Sequence, residues 1–155
     1  FAIDVTQLQP ESRGRLTIAS NNPRERPLID PNYLAEEADR VALREGLKML
    51  RELCKQPAMA AFTGEELRPG PSVTSDAALD AVVRATADSI YHPVGTAKMG
   101  TDARAVVDPA TMGVHGVAGL SVADASVMPR IVGGNTNAPS IVIGALGAEK
   151  IAAGL

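Results

Sequence analysis

One histidine in this chain stands where a proton could be moved. His92 lies in Tyr91 to Gly100, YHPVGTAKMG, and is one of only 2 histidines in 155 residues. An unperturbed imidazole titrates at about 6.5, so it can take or give a proton near neutral pH. Pro93 pushes His92 out of helical backbone toward an extended one, which predicts a ring presented from the end of a strand. Gly95, Thr96 and Ala97 leave space beside it, as the wall of an active site would. The same residues fit a plainer role, a histidine packed at a strand end and bonded to a carbonyl. A second stretch, GGNTNAPS, runs from Gly133 to Ser140. Two glycines free the backbone to approach a partner closely, two asparagines follow, and then a helix begins. A helix N-terminus presents unpaired N–H groups and roughly half a positive charge. It can hold an anion, or an oxygen that becomes negative; a capped turn before a helix reads the same way.

The elements that must position these stretches are legible in outline. Ala2 to Leu8 and Arg15 to Ser20 read as strands, since Leu16 and Ile18 alternate with Arg15 and Thr17. PESRG between them is a hairpin signal. NNPRERPLIDPN, with three prolines, reads as an extended surface connection. From about Tyr33 to Gln56 the period becomes helical: Leu43, Leu47, Leu50 and Cys54 share one face. Glu36, Glu37, Arg40, Arg44, Lys48 and Arg51 populate its solvated sides, and Pro57 stops it. Ser75 or Asp76 can cap a second helix with apolar residues Leu79, Val82, Val83 and Ala87. Val106 to Ala123 reads as short strands with tight turns at DPATMG and GVAG. A last helix starts near Ala138, with Asn137 as its N-cap and Pro139 in its first turn.

Bulk properties narrow the function. Net charge is −3 with both signs mixed, and no basic patch argues for nucleic acid. The lone Cys54 rules out an internal disulfide framework and a multi-cysteine metal site, and no metal site is expected. It is compatible with a reduced cytoplasm, the compartment expected here. Ala138 to Leu155 is apolar but broken by Ser140, Gly144, Gly147, Glu149 and Lys150, so it reads as a buried helix rather than a membrane span. The chain opens at Phe1 and aromatics make up 3% of it, which is meagre for a self-sufficient core and fits a piece of a larger protein. His115 reads as a surface residue of a turn-rich hairpin, Cys54 as a small core side chain, and Met99, Met112 and Met128 as packing residues.

Taken together, YHPVGTAKMG, VVDPATMGVHGVAGLSVADASVMP and GGNTNAPSIVIGALGAEKIA resemble the carboxy-terminal part of the glucose-methanol-choline (GMC) oxidoreductases, the FAD-dependent alcohol oxidases and choline or alcohol dehydrogenases. LQPESRGRLTIAS and RPLIDPNYLAEEADRVALREGLKMLREL resemble the same family, so the likeness covers nearly the whole chain. It implies that His92 sits over the flavin as base, or chief hydrogen-bond partner, for an alcohol hydroxyl. Asn135 matches the family's second position, histidine or asparagine in different members, and would orient the alcohol and stabilise alkoxide charge. Hydride would pass from a primary or secondary alcohol to FAD. The matching segments imply flavin contacts at Asp124 and Ala125, through backbone near the ribityl and diphosphate, and at Asn135, Thr136, Asn137 and Ala138 beside the ring. Tyr91 is either a further flavin neighbour or an ordinary strand aromatic.

One part of the family pattern does not occur. The G-x-G-x-x-G turn of an amino-terminal βαβ unit, which holds the ADP half of FAD, is not present; GVAGL and GALGAEK have the wrong spacing. The expected fold is therefore α+β. Residues 1–98 contribute strands and helices to the mostly antiparallel sheet of a substrate domain, ending in the HPVGT strand. Residues 99–155 return to complete an FAD domain with strands and a helix. The isolated chain is expected to bind FAD weakly or not at all, not to turn over, and to self-associate through exposed interfaces. Two other readings share the residues: a cyanohydrin lyase on the same scaffold, and a non-enzymatic scaffold module.

Overall fold

The computed structural model describes residues 1–154. The chain falls into two compact units, one from Phe1 to Ile90 and one beginning at Tyr91. Its class is α+β, with three α-helices and a two-stranded antiparallel sheet among the described residues.

In the first unit, β1 (Arg15–Thr17) pairs antiparallel with β2 (Leu28–Asp30), in the register Arg15 to Asp30, Leu16 to Ile29 and Thr17 to Leu28. This corrects two expectations. The connection read as a surface loop contains β2, because the segment before it folds back: the Glu25 amide donates to the Asn22 carbonyl, and the Arg24 amide to the Asn22 side chain. Residues 2–8 form no strand and make no hairpin with β1. They dock on the first helix instead, where Val5 packs so tightly on Gly46 that an added Cβ would collide with the Val5 side chain. Leu16 is also exposed rather than half-buried in a sheet face.

The helix α1 (Glu37–Cys54) has Glu37 and Asp39 in its first turn and Arg51 in its last, which suits the helix dipole. Leu43, Leu47, Leu50 and Cys54 are half-buried on one face. Pro57 opens a short 3-10 turn just beyond. α1 packs against α2 (Asp76–Thr86), whose Leu79 and Val83 are buried. Ser75 is the α2 cap; its hydroxyl accepts from the Ala78 amide.

Two charged residues of α1 are not simply solvated, as the helical pattern had implied. Arg44 Nη1 donates to both Asp80 carboxylate oxygens at 2.9 and 2.8 Å. Arg51 grips Glu66 through Nε and Nη2 and donates to the Gly70 and Val73 carbonyls. These long side chains tie α1 to α2 and to the loop between them, so their charges replace part of an apolar interface. At the other end, Asp39 is 1% exposed and its carboxylate accepts from Gln7 Nε2 and from the amides of Glu11 and Ser12.

The second unit is built on a core of Val107, Met112 and Val127. Met99, Val106, Val114, Val122 and Ile143 pack on it, and Met128 is buried as well. The short strands expected between Val106 and Ala123 are single bridges, Met99 with Val107, Val107 with Val114, and Gly113 with Ser121. Turns come too often for longer ladders. The Met112 amide returns to the Asp108 carbonyl, and Gly116 and Gly119 take left-handed backbone, φ 75° and 74°. α3 (Asn137–Ala153) closes this unit. Gly147 lies against Ala123, and a Cβ there would stand 2.6 Å from the Ala123 Cβ. Only glycine permits that approach. Ile141, Val142 and Leu146 of α3 are more than half exposed.

Candidate functional site

The residues of interest gather in the second unit. His92 is not on a strand: residues 91–98 form irregular backbone and the first bridge comes at Met99. Two features shape this stretch instead. Tyr91 has φ 64°, a left-handed conformation that costs a bulky residue on the order of 1 kcal/mol or more. Gly95 has φ 87°, where a side chain would be strained, and a Cβ there would meet the Met128 carbonyl at 3.2 Å. After the turn, the Ala97 amide donates to the Ser126 carbonyl at 3.0 Å and the Met99 amide to the Val127 carbonyl at 2.8 Å. The histidine stretch is thus hung on the segment that carries Asp124 and Ala125.

That segment is shaped by its own carboxylate. Asp124 caps a 3-10 turn, Ala125–Val127, by accepting from the Ser126 amide. The Ser126 hydroxyl and amide together hold the Asp124 carboxyl below its ordinary value. Asp124 is exposed and Ala125 half-buried. Oδ1 of the carboxylate is engaged within the turn by the Ser126 amide and hydroxyl.

The third element is the start of α3. The cap is Thr136, with Asn137 the first helical residue, which corrects the expectation of Asn137 as N-cap. Thr136 is 7% exposed, yet its side chain makes no cap bond to the helix. Its Oγ1 lies 2.9 Å from His92 Nδ1 instead. A threonine before a helix normally turns its oxygen on the first free amides; here it is spent on the histidine 44 positions earlier. Asn135, Asn137 and Ala138 are exposed around this contact. Gly133 and Gly134 face open space, with nothing within 4 Å of an added Cβ. The first turn of α3 holds no acidic residue, so its positive end is neither capped by Thr136 nor neutralised.

The structure therefore brings His92 together with Thr136, and through it with the neighbouring Asn135 and Asn137. It ties the same stretch by backbone to the turn after Asp124. Tyr91 is 82% exposed and lies in a bend, which removes its reading as a strand aromatic. His115 is exposed, as expected, and has a structural bond from Nε2 to the Gly100 carbonyl at 3.0 Å. An open hollow of about 370 Å³ between Ile18 and Pro27 lies in the first unit and contains none of these residues. The pairing of His92 with Thr136 was the feature sequence reasoning missed, because nothing local to either residue announces the other.

The family model for GMC oxidoreductase matches residues 10–144. The chain belongs to the GMC oxidoreductase family. Among curated GMC-related proteins, an alcohol dehydrogenase [acceptor] of Pseudomonas putida is 46% identical over 151 residues, covering 97% of this chain and 27% of that protein. The mitochondrial choline dehydrogenase of Homo sapiens is 48% identical over 154 residues, 98% of this chain and 25% of that one. Pyridoxine 4-oxidase from Mesorbium loti superposes with a TM-score of 0.86 at 32% identity, over 92% of this chain and 28% of the other. A formate oxidase of Aspergillus oryzae superposes at 0.87 and 31% identity, over 93% and 25%. The chain thus spans about a quarter of the length of the relatives it matches. Among its described residues no helix is long and apolar enough to cross a membrane.

Proposed function

We propose that this chain forms the catalytic wall of an FAD-dependent oxidoreductase acting on CH–OH donors, with His92 as the base. The 2.9 Å contact between His92 and Thr136 carries this reading. It sets an imidazole, a side chain suited to accept a proton, against the segment that carries Asn135 and the uncapped start of α3. The residues suit a flavin. An unneutralised helix end favours the negative charge of a reduced ring, Gly133 and Gly134 leave space before it, and the turn after Asp124 has backbone to offer. Bound FAD would supply the hydride acceptor. His92 would take the hydroxyl proton on Nε2, since Nδ1 faces Thr136. Asn135, which cannot act as a base, would orient the alcohol and stabilise its developing negative oxygen. Asn137 and Ala138 would present amides beside the ring, and Tyr91 would border it.

The names of the relatives support alcohol chemistry, choline among the candidate substrates. Residues to about 98 would belong to the substrate domain and the rest to the FAD domain. The exposed apolar residues of α3 would meet the remainder of the protein, or another copy when this chain is alone. A fluorescence titration with FAD tests the arrangement. The full-length parent binds and the 155-residue chain binds weakly or not at all. Tight binding by the short chain contradicts the assignment of the cofactor's main hold to the rest of the protein. Binding by neither removes the oxidoreductase reading.

A further inference from the structure

We infer that Thr136 is a positioning residue that fixes the tautomer of His92; this rests on the reading of His92 as the base. An imidazole can accept a proton on Nε2 only if its neutral form carries the hydrogen on Nδ1. Thr136 Oγ1, 2.9 Å from Nδ1, then accepts that hydrogen. The same bond holds when His92 becomes charged, since both ring nitrogens are then donors.

Three observations favour this role over ordinary capping. Thr136 is almost fully buried, and it makes no cap bond to α3. The carbonyl of Thr136 is itself held, accepting from the Ser140 hydroxyl and amide, so the residue is fixed from both sides. The histidine stretch is independently pinned by Ala97 and Met99 to residues 126 and 127. The segment after His92 and the start of α3 are thus each held, which keeps Oγ1 facing Nδ1; in the inferred arrangement the hydroxyl accepts there rather than donates. Without it the ring is free to carry its hydrogen on Nε2, the form that cannot accept the substrate proton.

The test compares Thr136→Val, which keeps the shape and removes the hydroxyl, with Thr136→Ser, which keeps the hydroxyl. Both are made in the full-length holoenzyme. Anaerobic stopped-flow separates the rate of flavin reduction from alcohol binding. Thr136→Val slows reduction about 10- to 100-fold, by analogy with losing the partner that orients a metal-bound histidine, with substrate affinity within about twofold. Thr136→Ser restores most of the rate. Nitrogen-15 spectra of labelled histidine give a readout independent of turnover, with the His92 signals identified by their loss in His92→Gln. Wild type and Thr136→Ser show a protonated Nδ1 and bare Nε2 when neutral, and Thr136→Val shows the reverse or a mixture. An unchanged tautomer in Thr136→Val overturns the inference even if His92 proves to be the base. A changed tautomer with an unchanged rate, together with an active His92→Gln, overturns the assignment of the base instead.

Discussion

Replacing His92 by alanine in the full-length protein lowers the rate of flavin reduction by alcohol about 10²- to 10⁴-fold, the usual contribution of a positioned general base. The reason lies in the bond order of the reaction. An alcohol carbon gives up hydride readily only as its oxygen loses a proton, and neutral alcohols hold that proton tightly. Among the described residues no other histidine stands beside Thr136 and Asn135; His115 is engaged with the Gly100 carbonyl. FAD content stays near wild type, because the side chain removed is expected to face substrate rather than to hold the cofactor. Flavin absorbance per protein and single-turnover reduction measure the two separately. A His92→Ala protein that keeps its flavin and reduces it within a factor of about three of wild type removes His92 from the base role.

The largest effect on stability is expected at Asp39. Its carboxylate is buried and satisfies the amides of Glu11 and Ser12 and the side chain of Gln7. Asp39→Ala leaves two backbone donors without their acceptor and frees residues 7–12 from α1. The loss is about 2 kcal/mol, since an unpaired donor costs roughly 1–3 kcal/mol when buried and less where, as at these part-buried amides, water can replace the acceptor. Burial alone would push the Asp39 carboxyl upward. The hydrogen bonds from Ser12, Glu11 and Gln7 outweigh it, and the net shift is downward from 3.8. A carboxylate lowered in the folded state stabilises fully above its unfolded value, and that contribution fades as pH falls through the lower, folded one. Stability of the wild type therefore drops with acid below about pH 4, and Asp39→Ala flattens that part of the curve. Hydrogen exchange at Glu11 and Ser12 locates the change. Unaltered protection of these two amides in the variant contradicts the anchoring role.

The helices were written in the sequence more clearly than the strands. The steps of four, three and four among Leu43, Leu47, Leu50 and Cys54 mark α1 because one helix face must be apolar wherever its partner lies. The strand reading of residues 2–8 misled, since a short extended segment looks alike whether it pairs in a sheet or docks on a helix. The docking partners, Asp39 and Gly46, sit on α1 and carry no local sign of the task. An aspartate in a first helical turn is favoured there for its charge alone. At the candidate site the histidine and the asparagine segment were legible as motifs. Their junction was not, because Asn137 read as the cap and the partner of Thr136 is 44 residues away. The position of His92 on irregular backbone was also hidden. Pro93 dictates extended backbone at His92 but not a paired strand, and the left-handed Tyr91 is a feature no propensity predicts.

The most direct test is anaerobic addition of alcohols, choline among them, to the full-length protein while the flavin band near the visible blue is recorded. Bleaching by an alcohol, with the aldehyde or ketone formed in equal amount to reduced flavin, is the predicted result. A flavin that stays oxidised with every primary and secondary alcohol tried, while the protein cleaves a cyanohydrin to its carbonyl compound, contradicts the oxidoreductase account and assigns the same histidine to a lyase.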